Sequence, residues 1–522
     1  MIRSALIFLW VFSLLYLTAC DGAHHSDGTT KVSWLTKCPD FSDVGKAPVE
    51  QNAECGSLEL LENPQDASSI NIPVNVLRLP AVNPAAEKDP LFVIAGGPGQ
   101  SAVTLAETVH TTFNDVRKNR DIIFIDQRGT GKSNPFNCSL DDESIKQLPL
   151  EKQEAAERAA LQECIDKYKN HVAYYTTPYA VADLDAVRKA LGYEKINLWG
   201  GSYGSRVVLE YLRRFPAHAR AAVIDGVAPV AIALPWFMEA DGLAALQSIN
   251  KQCAEDTTCV ATYGDIVQKA EQVSAQLARQ PLSMTIPHPR KQEKITVQLT
   301  ADDFSSVIRF ALYNRELSTL LPQVISEAAS GDYQVFASFI YLAKSKSDLM
   351  GINYGMHFSV VCAEDYPLYR AKNVIDSNVF LHAQMVQKYS TICAQWPKVE
   401  LPQYYWEPIK SDVPTLVLSG GFDPATPPHW AELVLKNLTH ATHVVAPGGH
   451  HIITQEGCVA QLIAEFVAKG DGASLESECV NNIQPLAIHL PSSTLVNSSY
   501  LSLPTENSSA HSNSIHVHVK RD

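Results

Sequence analysis

Six stretches of the 522-residue chain share one design: a short, unbroken apolar run closed by glycines or a charged turn. They are PLFVIAGGPGQS, DIIFIDQRGTGKS, EKINLWGGSYGS, RAAVIDGVAP, VPTLVLSGGFDPATPP and ATHVVAPGGHHI. A strand that is apolar at every position must be covered on both faces, which an open antiparallel sheet does not provide. The stretches between them read as helices, most clearly YAVADLDAVRKALG. There Val181, Leu184, Val187 and Leu191 share one face, and Gly192 ends the pattern. The chain is therefore read as α/β, with a mostly parallel sheet covered by helices on both faces.

The design is interrupted. From Leu234 to Tyr405 helical patterns such as GDIVQKAEQVSAQLAR and ADDFSSVIRFALY dominate, with one hairpin from LSMTIP to KITVQL. A second hairpin, GSLELLE to INIPVNVLRLPA, precedes the first parallel strand. The expected division is a signal peptide at 1–19, a polar tether at 20–48 and a first core part at 49–233. A helical cap at 234–405, a second core part at 406–480 and a low-complexity tail at 481–522 follow.

The N-terminus, MIRSALIFLWVFSLLYLTAC, has Arg3, an apolar run from Ala5 to Leu17, and Leu-Thr-Ala-Cys at its end. It resembles a bacterial lipoprotein signal, so cleavage before Cys20 and acylation of that cysteine are expected. Asp21 resembles the signal for retention in the inner membrane, facing the periplasm. Of 11 cysteines, removing Cys20 leaves 11 − 1 = 10, an even set that suits disulfides in an exported chain. Short loops close most easily, which pairs neighbours: Cys38–Cys55, Cys138–Cys164, Cys253–Cys259, Cys362–Cys393 and Cys458–Cys479. No cysteine or histidine cluster has metal spacing, so neither metal nor cofactor is expected. A net charge of −14 argues against nucleic acid as a partner.

The chemistry lies at the strand ends, where parallel sheets bind ligands. Gly200-Gly201-Ser202-Tyr203-Gly204 is a G-x-S-x-G sequence between a strand and a helix, the setting of a nucleophile elbow. A serine hydroxyl needs a base, and the base an orienting carboxylate, in the chain order Ser, acid, His. Asp423 follows the fifth strand, and the loop after the sixth offers His450 and His451. An oxyanion needs preorganised N–H donors. Tyr203 supplies one, and the glycine turn at 96–99 the other: Gly97 by preference, then Gly96, because Pro98 has no N–H. The GTGKS at 129–133 is not a phosphate loop, since Asp126 occupies the position of its first glycine.

Together GGPGQS, DQRGTGKS, GGSYGS and GGFDPATPP resemble the prolyl iminopeptidase and tripeptidyl aminopeptidase family of α/β-hydrolases, most closely the tripeptidyl branch. The resemblance spans about residues 50 to 480. It implies the α/β-hydrolase fold and a serine exopeptidase that releases short N-terminal units, tripeptides or proline-containing ends, from peptides with a free amine. His451 is preferred as the base. Such loops often read Pro-x-x-Gly-His, which from Pro447 gives His451, and that residue has the branch's spacing before Gly457-Cys458. His450 stays as the alternative. The resemblance also implies an acidic cap group for the substrate ammonium, for which Glu364 and Asp365 in VVCAEDYP are candidates; a solvated acidic turn is the other reading. Asp126 and Arg128 are read as bracing their loop. An esterase or lipase of the same fold is the alternative activity, and a non-catalytic binding lipoprotein a further one. The sequence departs from the family at Ala95, where histidine is common, and at His450, where glycine is.

Overall fold

The computed structural model describes residues 33–38, 52–138, 143–146, 148, 150–287, 293–340, 351–372 and 383–491. The signal peptide, Cys20 and the tether apart from residues 33–38 lie outside them. Among the described residues nine strands form the main sheet, in the order β1-β2-β3-β5-β4-β6-β7-β10-β11. At one edge β1 (Thr36–Lys37), β2 (Glu54–Leu61) and β3 (Asn71–Leu79) run antiparallel, and β3 meets β5 (Ile122–Ile125) antiparallel. From β5 the sheet is parallel through β4 (Leu91–Ile94), β6 (Ile196–Gly201), β7 (Ala219–Asp225), β10 (Thr415–Gly420) and β11 (Ala441–Ala446). All six apolar stretches are thus neighbours in one parallel sheet.

Alternation along the strands divides the core. Phe92, Ile94, Ile123, Ile125, Leu198 and Ile224 face one side, with α3 (Thr177–Ala190) and α4 (Tyr203–Arg214). Leu91, Val93, Ile122, Phe124, Trp199 and Val223 face the other, with α1 (Ala102–Val109) and α12 (Val459–Lys469). Each such side chain contributes roughly 1.5–3 kcal/mol on burial, which is why strands of four residues suffice.

The insertion between β7 and β10 divides in two. Helices α5 (Leu234–Ala254), α6 (Ile266–Arg279), α7 (Ala301–Leu312) and α8 (Leu321–Ala329) share a core of their own, with Ile249, Leu277, Phe304 and Val324 at its centre. The hairpin of β8 (Leu282–Pro287) and β9 (Lys294–Leu299) lies on it. The later part, including α9 (Tyr354–Val360) and α10 (Ala383–Gln395), instead packs Met356, Phe358, Ile392 and Trp396 into the core of the sheet.

The five disulfides join the five neighbouring pairs. The start of the expected low-complexity tail is structured up to residue 491. Ile483 is buried against the sheet, while Ile488 and Leu490 pack on the insertion. The tail as a whole is polar, but apolar residues between 483 and 490 are enough to dock its start. Residues 492–522 lie outside the described residues.

Candidate active site

Ser202 stands between β6 and α4 with φ 55° and ψ −127°. That backbone is strained for a side-chain-bearing residue and throws the hydroxyl clear of the turn. The glycines around it are steric necessities. A Cβ at Gly200 would lie 2.3 Å from the Gly204 carbonyl oxygen, and one at Gly204 2.5 Å from that of Ile94. The Ser202 N–H donates to the Asp225 carbonyl (2.8 Å), fixing the elbow to the end of β7. Tyr203 opens α4, where first-turn N–H groups have no acceptor within the helix. Gly96 lies alongside: a Cβ there would be 3.1 Å from Ser202 Cβ. Gly97 follows at φ +107°.

His451 Nδ1 donates to the Asp423 carboxylate, at 2.9 Å from Oδ2 and 3.0 Å from Oδ1. Asp423 also accepts from the N–H groups of Ala425 and Thr426 and from the Thr426 hydroxyl. Burial works to raise the Asp423 carboxyl, but the imidazole and these donors outweigh it and hold it below its ordinary value. For His451, burial pulls down and the Asp423 charge pushes up; the charge wins, and the ring titrates above its ordinary 6.5. Its Cε1 lies 3.3 Å from where a Gly226 Cβ would stand, next to the residue that anchors Ser202. His450 points elsewhere, with Nδ1 on the Leu312 carbonyl (2.7 Å) and Nε2 facing the Ser318 hydroxyl (3.3 Å). The structure thus brings His451, and not His450, to Asp423.

Three neighbours escaped the sequence reading. Asp225 accepts from the N–H groups of Ile453 and Thr454 and from the Thr454 hydroxyl, pinning the chain just after His451. Its signal was an acid at the end of an apolar strand. Tyr313, at the end of α7, sets its ring edge-on to His451 with centroids 4.9 Å apart. Asp241, on α5, accepts from Trp430 Nε1 (2.8 Å) and feels the Asp423 charge; burial above all raises its carboxyl to about 7. Nothing local marks these two.

The α/β-hydrolase fold family matches residues 89–247, which carry the elbow and the glycine turn. The chain has the α/β-hydrolase fold. A second family, described as TAP-like protein, matches residues 378–479 of the hydrolase, including Asp423 and His451. Serine protease Hip1 of Mycobacterium tuberculosis is 25% identical over 482 residues, covering 86% of this chain and 91% of that one. Tripeptidyl aminopeptidase of Streptomyces lividans is 32% identical over 145 residues, covering 25% of this chain and 27% of that one. Proline iminopeptidase of Neisseria gonorrhoeae is 29% identical over 161 residues, covering 30% of this chain and 39% of its own. These three relatives of the hydrolase are peptidases.

Glu364 and Asp365 do not serve as an open amine site. Both are fully buried, and Arg206, on α4 beneath the elbow, bonds Asp365 at 2.9 Å and lies 3.5 Å from Glu364. Glu364 also accepts from the N–H and hydroxyl of Thr177 and from Tyr405, and Asp365 from the Leu234 N–H. The acidic pair is enclosed in the core, where it partners the buried Arg206, and burial raises both carboxyls. Arg206→Met is expected to cost about 3–5 kcal/mol of stability by stranding two buried carboxyls, read as a fall in the denaturant midpoint. Asp126 and Arg128 hold structure instead. Asp126 takes Ser101, Val103, Asn75 and Lys132, and Arg128 grips Asp183 with two bonds of 2.7 Å.

Proposed function

We propose that the hydrolase is a serine aminopeptidase in which Ser202, His451 and Asp423 form the triad. The observation that carries this is the Asp423–His451 pair, seated beside the residue that holds the Ser202 elbow. Homology to a serine protease along most of the chain supports it. Ser202 Oγ attacks the scissile carbonyl, and His451 Nε2 takes its proton. Asp423 fixes the tautomer and stabilises the imidazolium. The N–H groups of Gly97 and Tyr203 receive the oxyanion. Collapse expels the shortened peptide's amine, which takes the proton from His451, and water then hydrolyses the acyl-enzyme. In this reading the substrate's N-terminal ammonium meets Asp241, a buried cap carboxyl near the triad, in place of Glu364 and Asp365. The released unit is a short N-terminal peptide, a tripeptide or one ending in proline. We also place the enzyme in the periplasm, on the inner membrane through an acyl chain at Cys20. The leader sequence and the disulfide-bonded fold support that placement.

The test compares Pro-, Ala- and Ala-Ala-Pro-linked fluorogenic substrates, each with a free and a blocked N-terminus. Free-amine substrates are expected to be preferred by at least tenfold. Asp241→Asn is expected to erase that preference by raising KM for the free-amine set alone. Ester cleavage without peptide turnover would assign the protein as an esterase.

A further inference from the structure

The glycine turn after β4 carries one of the two oxyanion donors in the reading above, on which this inference rests. A donor works only if its N–H is already aimed, and a turn rich in glycine does not aim itself. Two of its carbonyls are held from outside the core. The Asn353 N–H donates to the Gly99 carbonyl at 2.9 Å, and His357 Nδ1 lies 3.0 Å from the Pro98 carbonyl. The same segment packs on the turn: a Cβ at Gly97 would lie 3.3 Å from Ile352 Cδ1, and one at Gly99 2.9 Å from the Asn353 carbonyl oxygen. The Asn353 side-chain oxygen accepts from the Gly131 N–H (3.1 Å), joining this contact to the loop organised by Asp126.

His357 is the central group. Its second nitrogen, Nε2, lies 2.9 Å from the Tyr389 hydroxyl on α10. The ring is packed between aromatic neighbours, 5.2 Å from Phe358 and 5.6 Å from Tyr389 between centroids. Burial pushes its pKa down to about 4, so the ring is neutral wherever the enzyme would be assayed. A neutral ring has one N–H, and the Pro98 carbonyl can only accept. The proton is therefore assigned to Nδ1, and Nε2 accepts from Tyr389.

We infer that His357 is a positioning residue that aims the oxyanion turn, holding the Pro98 carbonyl through its Nδ1–H while Tyr389 fixes the ring's tautomer. It touches neither substrate nor reacting atoms. The insertion thereby supplies part of the alignment of a donor that belongs to the sheet.

The decisive comparison is between two amide replacements in the full chain with its disulfides formed. Asparagine places an N–H near the Nδ1 position and keeps the bond to Pro98. Glutamine reaches toward Tyr389 and loses it. His357→Asn is expected to keep kcat within about fivefold of wild type, and His357→Gln to lose roughly 10–10²-fold, with KM within about threefold in both. A peptide boronate, whose tetrahedral adduct occupies the oxyanion hole, should lose affinity in parallel with kcat. A product peptide should bind all forms alike. Equal kcat in the two variants overturns the inference, as does a loss shared by boronate and product, which marks general distortion. If His357→Gln does not fold, Tyr389→Phe decides: unchanged kcat and boronate affinity overturn the inference. Turnover that survives Ser202→Ala sinks the triad reading. Serine-dependent turnover indifferent to His357 sinks this inference alone.

Discussion

Ser202→Ala is expected to abolish peptide turnover, with kcat falling by roughly 10⁵–10⁶, while the protein stays folded. The two effects separate because the hydroxyl stands at a strained turn and the fold is held by other groups. The elbow is fixed by the Ser202 N–H on Asp225 and by glycines that admit the close approach of β4. Alanine keeps all of these. It also keeps the strain of φ 55°, which is worth about 1–3 kcal/mol. Ser202→Gly should therefore be as inactive as the alanine variant and more stable than wild type. Thermal unfolding beside a turnover assay checks both at once. Equal melting temperatures for Ser202→Gly and wild type would argue that the elbow stores no strain, and residual turnover above the expected floor that Ser202 is not the nucleophile.

Asp423→Asn should lower kcat by about 10⁴ and also change its pH dependence. His451 must be neutral to accept the serine proton, so activity rises as pH rises through its pKa. In the native site that pKa is above 6.5, because the Asp423 charge outweighs burial. Without that charge burial is opposed only by the weaker pull of Asp225, and the residual activity should rise at a lower midpoint than in wild type. Stability follows the same groups. The raised pKa of His451 contributes fully below 6.5, and that contribution is lost as pH rises through the folded value. The lowered pKa of Asp423 contributes above 3.8 and is lost as pH falls through its folded value. The pair therefore stabilises most between those limits. The difference in melting temperature between wild type and Asp423→Asn should shrink from pH 6 to pH 9.

What could be read from the sequence was local. Continuous apolar runs, glycine spacing and strand-to-helix switches depend on residues a few positions apart, and they give the parallel sheet, the elbow and the acid and histidine loops. Choosing His451 over His450 needed the family's Pro-x-x-Gly-His pattern, since adjacent histidines look alike until the loop's direction is known. The residues misread or passed over are those whose meaning comes from a distant partner. Glu364 and Asp365 look like a solvated acidic turn unless Arg206, 158 and 159 positions away, is known to lie beneath them. His357 sits in an apolar helix, and its partner Pro98 is 259 positions away. The division of the insertion was hidden for the same reason. Amphipathic helices show that they have a buried face, but not which core receives it.

The strap at 483–491 bears on the order of assembly. The Gly448 N–H donates to the Ile483 carbonyl, close to the histidine loop, while Gln252 and Tyr263 of the insertion donate to the carbonyls of Leu486 and His489. The lock between the two bodies is thus made by residues that follow both in the chain. It cannot close while the polypeptide is still being delivered, and neither Asp423 nor His451 has arrived when Ser202 first reaches its elbow. In a chain of this order the proposed triad is complete only after residue 451, and the strap that joins the two bodies only after residue 489.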